Sequence, residues 1–332
     1  MRILLLSNMY PSRERPEFGV FVQRLAEALR ARGHDVDEAV LTAGSRGALR
    51  TPLAYLQLAA RARAAARRRP DVVYAHFLVP TGLVARVTGV PYVITAHGTD
   101  VANARSHPAI AALTRRVVAG AGAVICVSEF LAARLPGEPR RLEVIDCGVD
   151  TSLFVAAPRA DGEGPRFLFA GSLTGRKNVG RLMQAFASLG EGTLTIAGAG
   201  PLEAELRAAA PAGVAFTGRV APGRMPELFA ARDVYCQPSL VEPQGQAVLE
   251  ALACGRPVVA TRVGGPAEVV TPECGALVDP LVVESIADGM RRAAALPVPC
   301  DAAVEVAARH TLAHAAERVE RLLAEVSSAG DG

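Results

Sequence analysis

Val241-Glu242-Pro243-Gln244-Gly245-Gln246-Ala247-Val248-Leu249-Glu250, running on through Ala251-Leu252-Ala253-Cys254-Gly255-Arg256-Pro257-Val258-Val259, is the stretch whose reading decides the fold. Pro243 and Gly245 punctuate a loop, and an apolar run of good helix formers follows. Gly255-Arg256-Pro257 stops that helix, and Val258-Val259-Ala260 reads as the next strand. The order is therefore loop, helix, turn, strand, with Glu242 just before the helix and Glu250 about two turns in. Free N–H groups from Gly245 to Val248 would make the helix start a seat for phosphate. A carboxylate on either side can accept hydrogen bonds from sugar or ribose hydroxyls. The same spacing also fits a surface-loop acid followed by an unrelated helix acid, so the surrounding chain has to decide.

Working outward, the same alternation recurs. The 332 residues suggest two domains of roughly 150 residues each. Half of them are hydrophobic and 21% charged, the balance of a globular chain with a sizeable interior. Before residue 150, short apolar strands (2–6, 36–41, 71–75, 92–95, 123–127, 142–145) alternate with helices, the pattern of a doubly wound parallel sheet. Thr151 to Pro165, with Pro158, Asp161, Gly162, Glu163 and Gly164, breaks the rhythm and reads as a linker. Alternation then restarts at 166–170 and runs to about residue 295. A last helix over 303–326 is expected to pack back on the first domain. The expected partition is 1–155 and 156–302.

Net charge of +3 argues against a nucleic-acid binder. Seven arginines (46, 50, 61, 63, 67, 68, 69) nevertheless lie between Ala39 and Pro70 with no Asp or Glu among them. Arg61, Arg63, Arg67, Arg68 and Arg69 could rest a basic helix face on anionic lipid, or simply be solvated. The six cysteines show neither C-x-x-C nor metal-ligand spacing, which favours a reducing compartment. Met1 to Ser7 is too short an apolar run for a signal peptide, and no stretch approaches the ~18 apolar residues of a membrane span. The expectation is a cytoplasmic protein, soluble or peripheral on the cytoplasmic membrane face.

In parallel sheets ligands gather beyond the carboxyl ends of the strands. Gly171-Ser172-Leu173-Thr174-Gly175-Arg176-Lys177-Asn178 sits there and puts two adjacent cations at a helix start, which suits a diphosphate. Gly198-Ala199-Gly200-Pro201 lacks the third glycine of the dinucleotide fingerprint and reads as a tight turn that lets a ligand approach the backbone. His97-Gly98-Thr99-Asp100 puts an imidazole at a strand end, as a cleft group or as a structural histidine. Gly19 either admits a ligand or merely starts a helix. No Walker loop, metal-ligand motif or Gly-x-Ser-x-Gly elbow stands where it would matter, so neither metal nor P-loop chemistry is expected.

Taken in order, these stretches resemble the group 1, family 4 nucleotide-sugar glycosyltransferases over nearly the whole chain. The resemblance rests on Tyr10-Pro11, Phe18-Gly19-Val20-Phe21-Val22, Arg32-Gly33-His34-Asp35-Val36, the His97 turn, Val127-Ser128 and Gly148-Val149-Asp150. It continues through Arg176-Lys177-Asn178, Gly198-x-Gly200-Pro201, Phe216-Thr217-Gly218-Arg219-Val220, Glu242-x7-Glu250 and Gly275-Ala276-Leu277-Val278. It implies an α/β, GT-B fold of two doubly wound Rossmann-like domains facing an interdomain cleft. The implied reaction is retaining, metal-independent hexosyl transfer from a UDP- or GDP-linked sugar to a hydroxyl acceptor, with no cofactor.

By position, His97, Arg176, Lys177 and Glu242 match the family's catalytic group. Gly19, Ser172, Arg219, Val220, Gly245, Gln246, Ala247, Val248 and Glu250 match donor-binding positions, and Asp100 and Ser128 lie on the acceptor side. In three places the chain departs from the family pattern. Ser172 stands where an arginine is usual, Gln244 replaces an aromatic, and Asp146-Cys147 replaces Pro-Asn. A UDP-sugar 2-epimerase-like isomerase and a non-catalytic nucleotide-sugar-binding protein share the architecture and are the alternatives.

Overall fold

Strands such as Val72–His76, Tyr92–Ala96 and Ala123–Cys126 are buried from end to end, which requires helices on both faces of a parallel sheet. The computed structural model describes residues 1–42, 50–159 and 164–329. Arg46 and Asp161, Gly162 and Glu163 of the expected linker fall outside the described residues. Contacts divide the chain into Met1–Cys147 with Leu312–Gly332, and Gly148–Thr311.

The first unit carries β1 (Arg2–Tyr10), β2 (Asp35–Thr42), β3 (Val72–His76), β4 (Tyr92–Ala96), β5 (Ala123–Cys126) and β6 (Leu142–Val144). All pair in parallel, in the order β2-β1-β3-β4-β5-β6. Helices α1 (Val20–Ala31), α2 (Arg50–Ala66), α3 (Thr81–Arg86), α4 (Thr99–Ser106), α5 (Pro108–Gly120) and α6 (Glu129–Ala132) connect them. Alternate side chains of β1 enter different cores. Leu4 and Leu6 pack with Leu58 and Ala62 of α2, whereas Ile3 and Leu5 pack with Leu25 and Leu29 of α1.

The second unit carries β7 (Arg166–Ala170), α7 (Val179–Ala187), β8 (Thr193–Ala197), α8 (Glu203–Ala208), β9 (Val214–Gly218), α9 (Met225–Ala230) and β10 (Val234–Gln237). After these come α10 (Gln246–Ala253), β11 (Val258–Thr261), α11 (Pro266–Val269), β12 (Gly275–Val278), α12 (Val283–Ala294) and α13 (Asp301–Arg309). The sheet order is β12-β11-β10-β7-β8-β9, again all parallel. The chain builds outward from β7 in one direction, then crosses back to place β10 on its other side. Loops after β7 and β10 therefore diverge from neighbouring strand ends, the place where open parallel sheets bind ligands.

The C-terminal segment differs from the single helix expected over 303–326. It is two helices, α13 and α14 (Leu312–Ser328). At the break the His310 carbonyl accepts from Val149 N–H at 2.8 Å, and Val149 and Thr311 form a parallel bridge. The backbone there serves a neighbouring segment instead of the helical ladder, and no Pro or Gly marks the spot in sequence. α13 stays with the second unit, where Ala303, Val306 and Ala307 pack with Leu249 and Leu252 of α10. α14 joins the first unit through Val319, Leu322 and Leu323, which pack with Val22 and Leu29 of α1.

The first unit ends at Cys147 rather than at residue 155. Val149 and Phe154 are buried in the second unit's core, where the Phe154 ring lies 6.0 Å from that of Phe229. Arg256, fully buried in the turn after α10, donates to the Ala157 carbonyl at 2.6 Å.

Leu323→Ala is expected to cost about 2–5 kcal/mol, because it opens a cavity under α14, while Leu323→Met should cost less than about 1.5 kcal/mol. Urea midpoints of the two variants against the parent protein check this.

Candidate active site

The end of β7 leads into a loop closed by a 3-10 turn, Gly175–Lys177, directly before α7. Asn178 turns the chain with a left-handed φ of 60°. Its amide donates to the Pro238 carbonyl at 2.9 Å and the Pro280 carbonyl at 2.7 Å, lashing this loop to those after β10 and β12. Leu240 N–H donates to the Arg176 carbonyl at 2.8 Å, and Arg176 Nη1 returns a bond to the Val241 carbonyl at 2.9 Å.

These ties bring Lys177 and Glu242 together, although 65 residues separate them in sequence. Lys177 Nζ donates to Glu242 Oε2 at 2.6 Å, and both residues are buried. Ser239 Oγ at 3.1 Å and Gln237 Nε2 at 3.2 Å donate to the same oxygen, and Arg176 Nη1 stands 3.6 Å from it. The Glu242 backbone is pinned as well, with its N–H on the Val263 carbonyl at 3.0 Å and its carbonyl on Gly265 N–H at 2.9 Å. Burial pushes the Glu242 carboxyl up, but the Lys177 and Arg176 charges and the hydrogen bonds from Lys177 and Ser239 outweigh it, so the group sits below its ordinary value.

Gly245 starts α10 at φ 87°, a left-handed conformation suited to glycine. Val248 and Leu249 N–H both return to the Gly245 carbonyl, at 2.8 and 3.2 Å. The expected run of free donors therefore stops at Ala247, because the helical ladder has already taken Val248. The Gln246 side chain donates to the Gly148 carbonyl at 2.8 Å and accepts from Gln244 at 3.0 Å. Glu250 is buried one turn further on. Burial and then the charges of both Glu242 and Glu250 raise the Tyr235 phenol, so this ring marks where the influence of the two carboxylates overlaps.

Ser172 is exposed in the β7 loop, and Arg219 and Val220 follow β9, with Arg219 exposed. Gly198 and Gly200 serve a purpose other than admitting a ligand. A Cβ on Gly198 would fall 1.8 Å from the Gly171 carbonyl oxygen, and one on Gly200 would fall 2.3 Å from that of Leu173. What approaches the tight turn is the neighbouring β7 loop.

In the first unit, sheet order reverses between β1 and β3, and His97 follows β4 next door. The His97 ring lies 4.9 Å from that of Phe21 and 4.6 Å from that of Phe77, and its Nε2 is 3.0 Å from His76 Nδ1. Burial lowers His97 to about 3 and, with the neighbouring His97, holds His76 well below its ordinary value, so both imidazoles are neutral. Gly19, at φ 77°, starts α1 where a Cβ would strike the Met9 carbonyl at 2.4 Å.

Asp100 and Ser128 spend side-chain oxygens on the backbone. The Asp100 carboxylate accepts from the N–H groups of Leu78, His97, Gly98 and Val101, and Ser128 Oγ caps α6 by accepting from Leu131 N–H at 3.2 Å. Burial raises the Asp100 carboxyl against the opposing effect of those bonds. Arg61, Arg63, Arg67, Arg68 and Arg69 are exposed along α2 and just past its end, with Arg68 3.5 Å from Asp37.

Sequence reasoning missed His76, Gln237 and Ser239. The first two share one signal, a polar residue ending a buried apolar strand at its carboxyl end.

Comparison with known proteins follows the same division. Residues 18–153 match the family described as Glycosyltransferase Family 4, and residues 164–295 match Glycosyl transferases group 1. The chain is 30% identical over 340 residues to the GDP-mannose-dependent alpha-(1-6)-phosphatidylinositol monomannoside mannosyltransferase of Mycobacterium tuberculosis, covering 87% of this chain and 88% of that one. It is 30% identical over 276 residues to the 2-deoxystreptamine glucosyltransferase of Streptomyces kanamyceticus, covering 70% of each. Three curated relatives are matched over 61%, 70% and 88% of their own lengths. The structure of Anabaena Alr3699/HepE in complex with UDP-glucose superposes with a TM-score of 0.77 at 20% identity, covering 98% of this chain and 100% of that one. The chain belongs to the group 1, family 4 glycosyltransferases, and its fold is GT-B.

The Lys177–Glu242 pair has a pH signature. The folded-state carboxyl lies below its unfolded value, so its contribution is complete above the ordinary carboxylate range of about 4.3 and is lost as pH falls through the folded value. Lys177→Met removes the largest charge lowering that value and is expected to move the acid-unfolding midpoint upward, read by urea titrations between about pH 3 and 7.

Proposed function

We propose that the protein transfers a hexosyl group, with retention and without a metal, from a UDP- or GDP-linked sugar to a hydroxyl of a glycan, glycolipid or small glycoside. The observation that carries this reading is the convergence of Arg176, Lys177 and Glu242 on the loops after β7 and β10, with α10 beginning four residues beyond Glu242. Glycosyl transfer builds negative charge on the departing diphosphate. Two cations and the amides of Gly245, Gln246 and Ala247 are the groups to hold it, the electrostatic contribution that usually dominates such sites.

Among the described residues the side-chain bonds to Glu242 from Lys177, Gln237 and Ser239 all fall on Oε2, and Oε1 would accept a sugar hydroxyl. Glu250 would take the ribose, Arg219 and Val220 the base, and His97 with Gly19 the donor sugar and phosphates. A relative named for GDP-mannose dependence and a fold neighbour solved with UDP-glucose support a nucleotide sugar as donor.

Retention by double displacement would need a carboxylate nucleophile. Glu242, held below its ordinary pKa chiefly by the Lys177 and Arg176 charges and with three donors already on one oxygen, is a poor one. Front-face attack fits better. The bond from the anomeric carbon to the phosphate oxygen breaks as the acceptor oxygen bonds the same face, and the leaving phosphate takes the acceptor's proton.

Peripheral contact with anionic membrane is a second reading. On α2, Leu53 and Leu56 are exposed, and Arg63 and Arg67 continue the same helix face. Among the described residues no helix is long and apolar enough to cross a membrane.

Melting temperature should rise with either the UDP or the GDP series of nucleotides and sugars, since a ligand of the folded state alone stabilises it. Lys177→Ala should abolish that rise and lower kcat on the order of 100-fold or more. Near-normal turnover in this variant sinks the assignment, and donor binding without turnover on a broad acceptor panel would favour a non-catalytic binder. Vesicles containing anionic lipid, but not neutral ones, should co-sediment the protein; Arg63→Glu with Arg67→Glu should release it.

A further inference from the structure

Two imidazoles meet at the carboxyl ends of β3 and β4. His76 Nδ1 and His97 Nε2 are 3.0 Å apart, and the rings stack with centroids 5.3 Å apart at 20°. Both are neutral, as burial dictates. At that distance one nitrogen must carry the shared proton and the other must accept it.

The far nitrogens decide which. If His97 Nε2–H donated, His76 would be protonated at Nε2 instead, and that atom is buried with no hydrogen-bond partner among the described residues. Orphaned buried N–H groups are rare in folded proteins, and a bare acceptor is the better tolerated of the two. The neighbouring Tyr74 hydroxyl, whose ring packs 4.5 Å from His76, is already paired with Thr95 Oγ1 at 2.9 Å. With His76 Nδ1–H as donor, His76 Nε2 is only a lone pair, and His97 must carry its own proton on Nδ1. Among the described residues the neighbour that reaches that proton is Cys147 Sγ, 4.0 Å away, and sulfur is a weak acceptor.

We infer that His76 is a positioning residue that locks His97 in its Nδ1–H form, so that His97 offers a donor, not a lone pair, to an oxygen of the bound sugar nucleotide. The link to substrate rests on the reading of His97 as a donor-facing group; the lock itself rests on the imidazole pair. Phe21 and Phe77 hold the ring on its other sides. His97 Nε2 is closed by His76, so Nδ1 is the one nitrogen it can turn to a ligand. A ligand oxygen that can only accept, on a phosphate or an ether, then suits the site as well as a hydroxyl does.

The full-length protein labelled with 15N-histidine tests this, with its six histidines assigned by single substitutions. His97 should show a protonated Nδ1 and a bare Nε2. His76→Leu should shift it toward the Nε2–H form, and His76→Asn, which keeps an amide donor near the lost Nδ1, should restore the original signature. Release of UDP or GDP from UDP-glucose or GDP-mannose should fall about tenfold in kcat for the leucine variant and recover in the asparagine one. A protonated Nε2 on His97 in the unsubstituted protein overturns the lock, whether or not the leucine variant folds. So does an unchanged His97 signature in a folded leucine variant. A signature that switches while kcat stays put keeps the lock and overturns instead the placing of His97 at the substrate.

Discussion

A buried ammonium needs a counter-charge, and in this chain that requirement joins two loops. Lys177 and Glu242 are both buried, and removing either partner of such a pair typically costs about 3–5 kcal/mol, because the other charge is stranded. The pair therefore constrains its surroundings. Asn178 must bridge the β7, β10 and β12 loops to hold Lys177 in place, and Ser239 and Gln237 must supply the remaining donors to the carboxylate. Sheet order makes the meeting possible. Had β10 been added beyond β9, β8 and β9 would stand between it and β7, and the two loops would be about 14 Å apart.

The arrangement also shapes what the second unit can attract. Arg176 and Lys177 gather on the Glu242 carboxylate beside the first turn of α10, so cations and the positive end of a helix lie together where an anionic group would be favoured. The loops are tied to each other through backbone groups, Leu240 N–H to the Arg176 carbonyl and Arg176 Nη1 to the Val241 carbonyl, which limits how far they can reorganise.

The candidate residues of the first unit rest on different physics. Its candidate residues are neutral imidazoles among aromatic rings, and its buried acid, Asp100, is spent on four backbone amides. The candidate residues of the second unit thus carry charge, and those of the first offer shape and directed hydrogen bonds. Phe77 shows what the latter demands. It sits at φ 72°, a conformation that costs a bulky residue about 1–3 kcal/mol, directly beside His97.

Strands, most helices and the loop-helix-strand around Glu242 could be read from sequence because each is written in a local pattern: apolar runs of strand length, 3.6-residue periodicity, and Gly or Pro at the ends. Arg176, Lys177, Glu242 and Glu250 could be singled out too, since charged residues at strand ends are conspicuous and their spacing matches a known family. The break at His310–Thr311 could not, because its cause is Val149, more than a hundred residues away. Nor could His76 and Gln237, which look like the last residues of buried strands until β4 and the Glu242 loop are set beside them. Gly198 and Gly200 look ready for a ligand in sequence, yet the space they leave is filled by the β7 loop. The chain alone determined where most elements lie and where charge is carried. Which buried polar group meets which was decided only by strand order, because a hydrogen bond depends on distance in space and local sequence carries no record of distant neighbours.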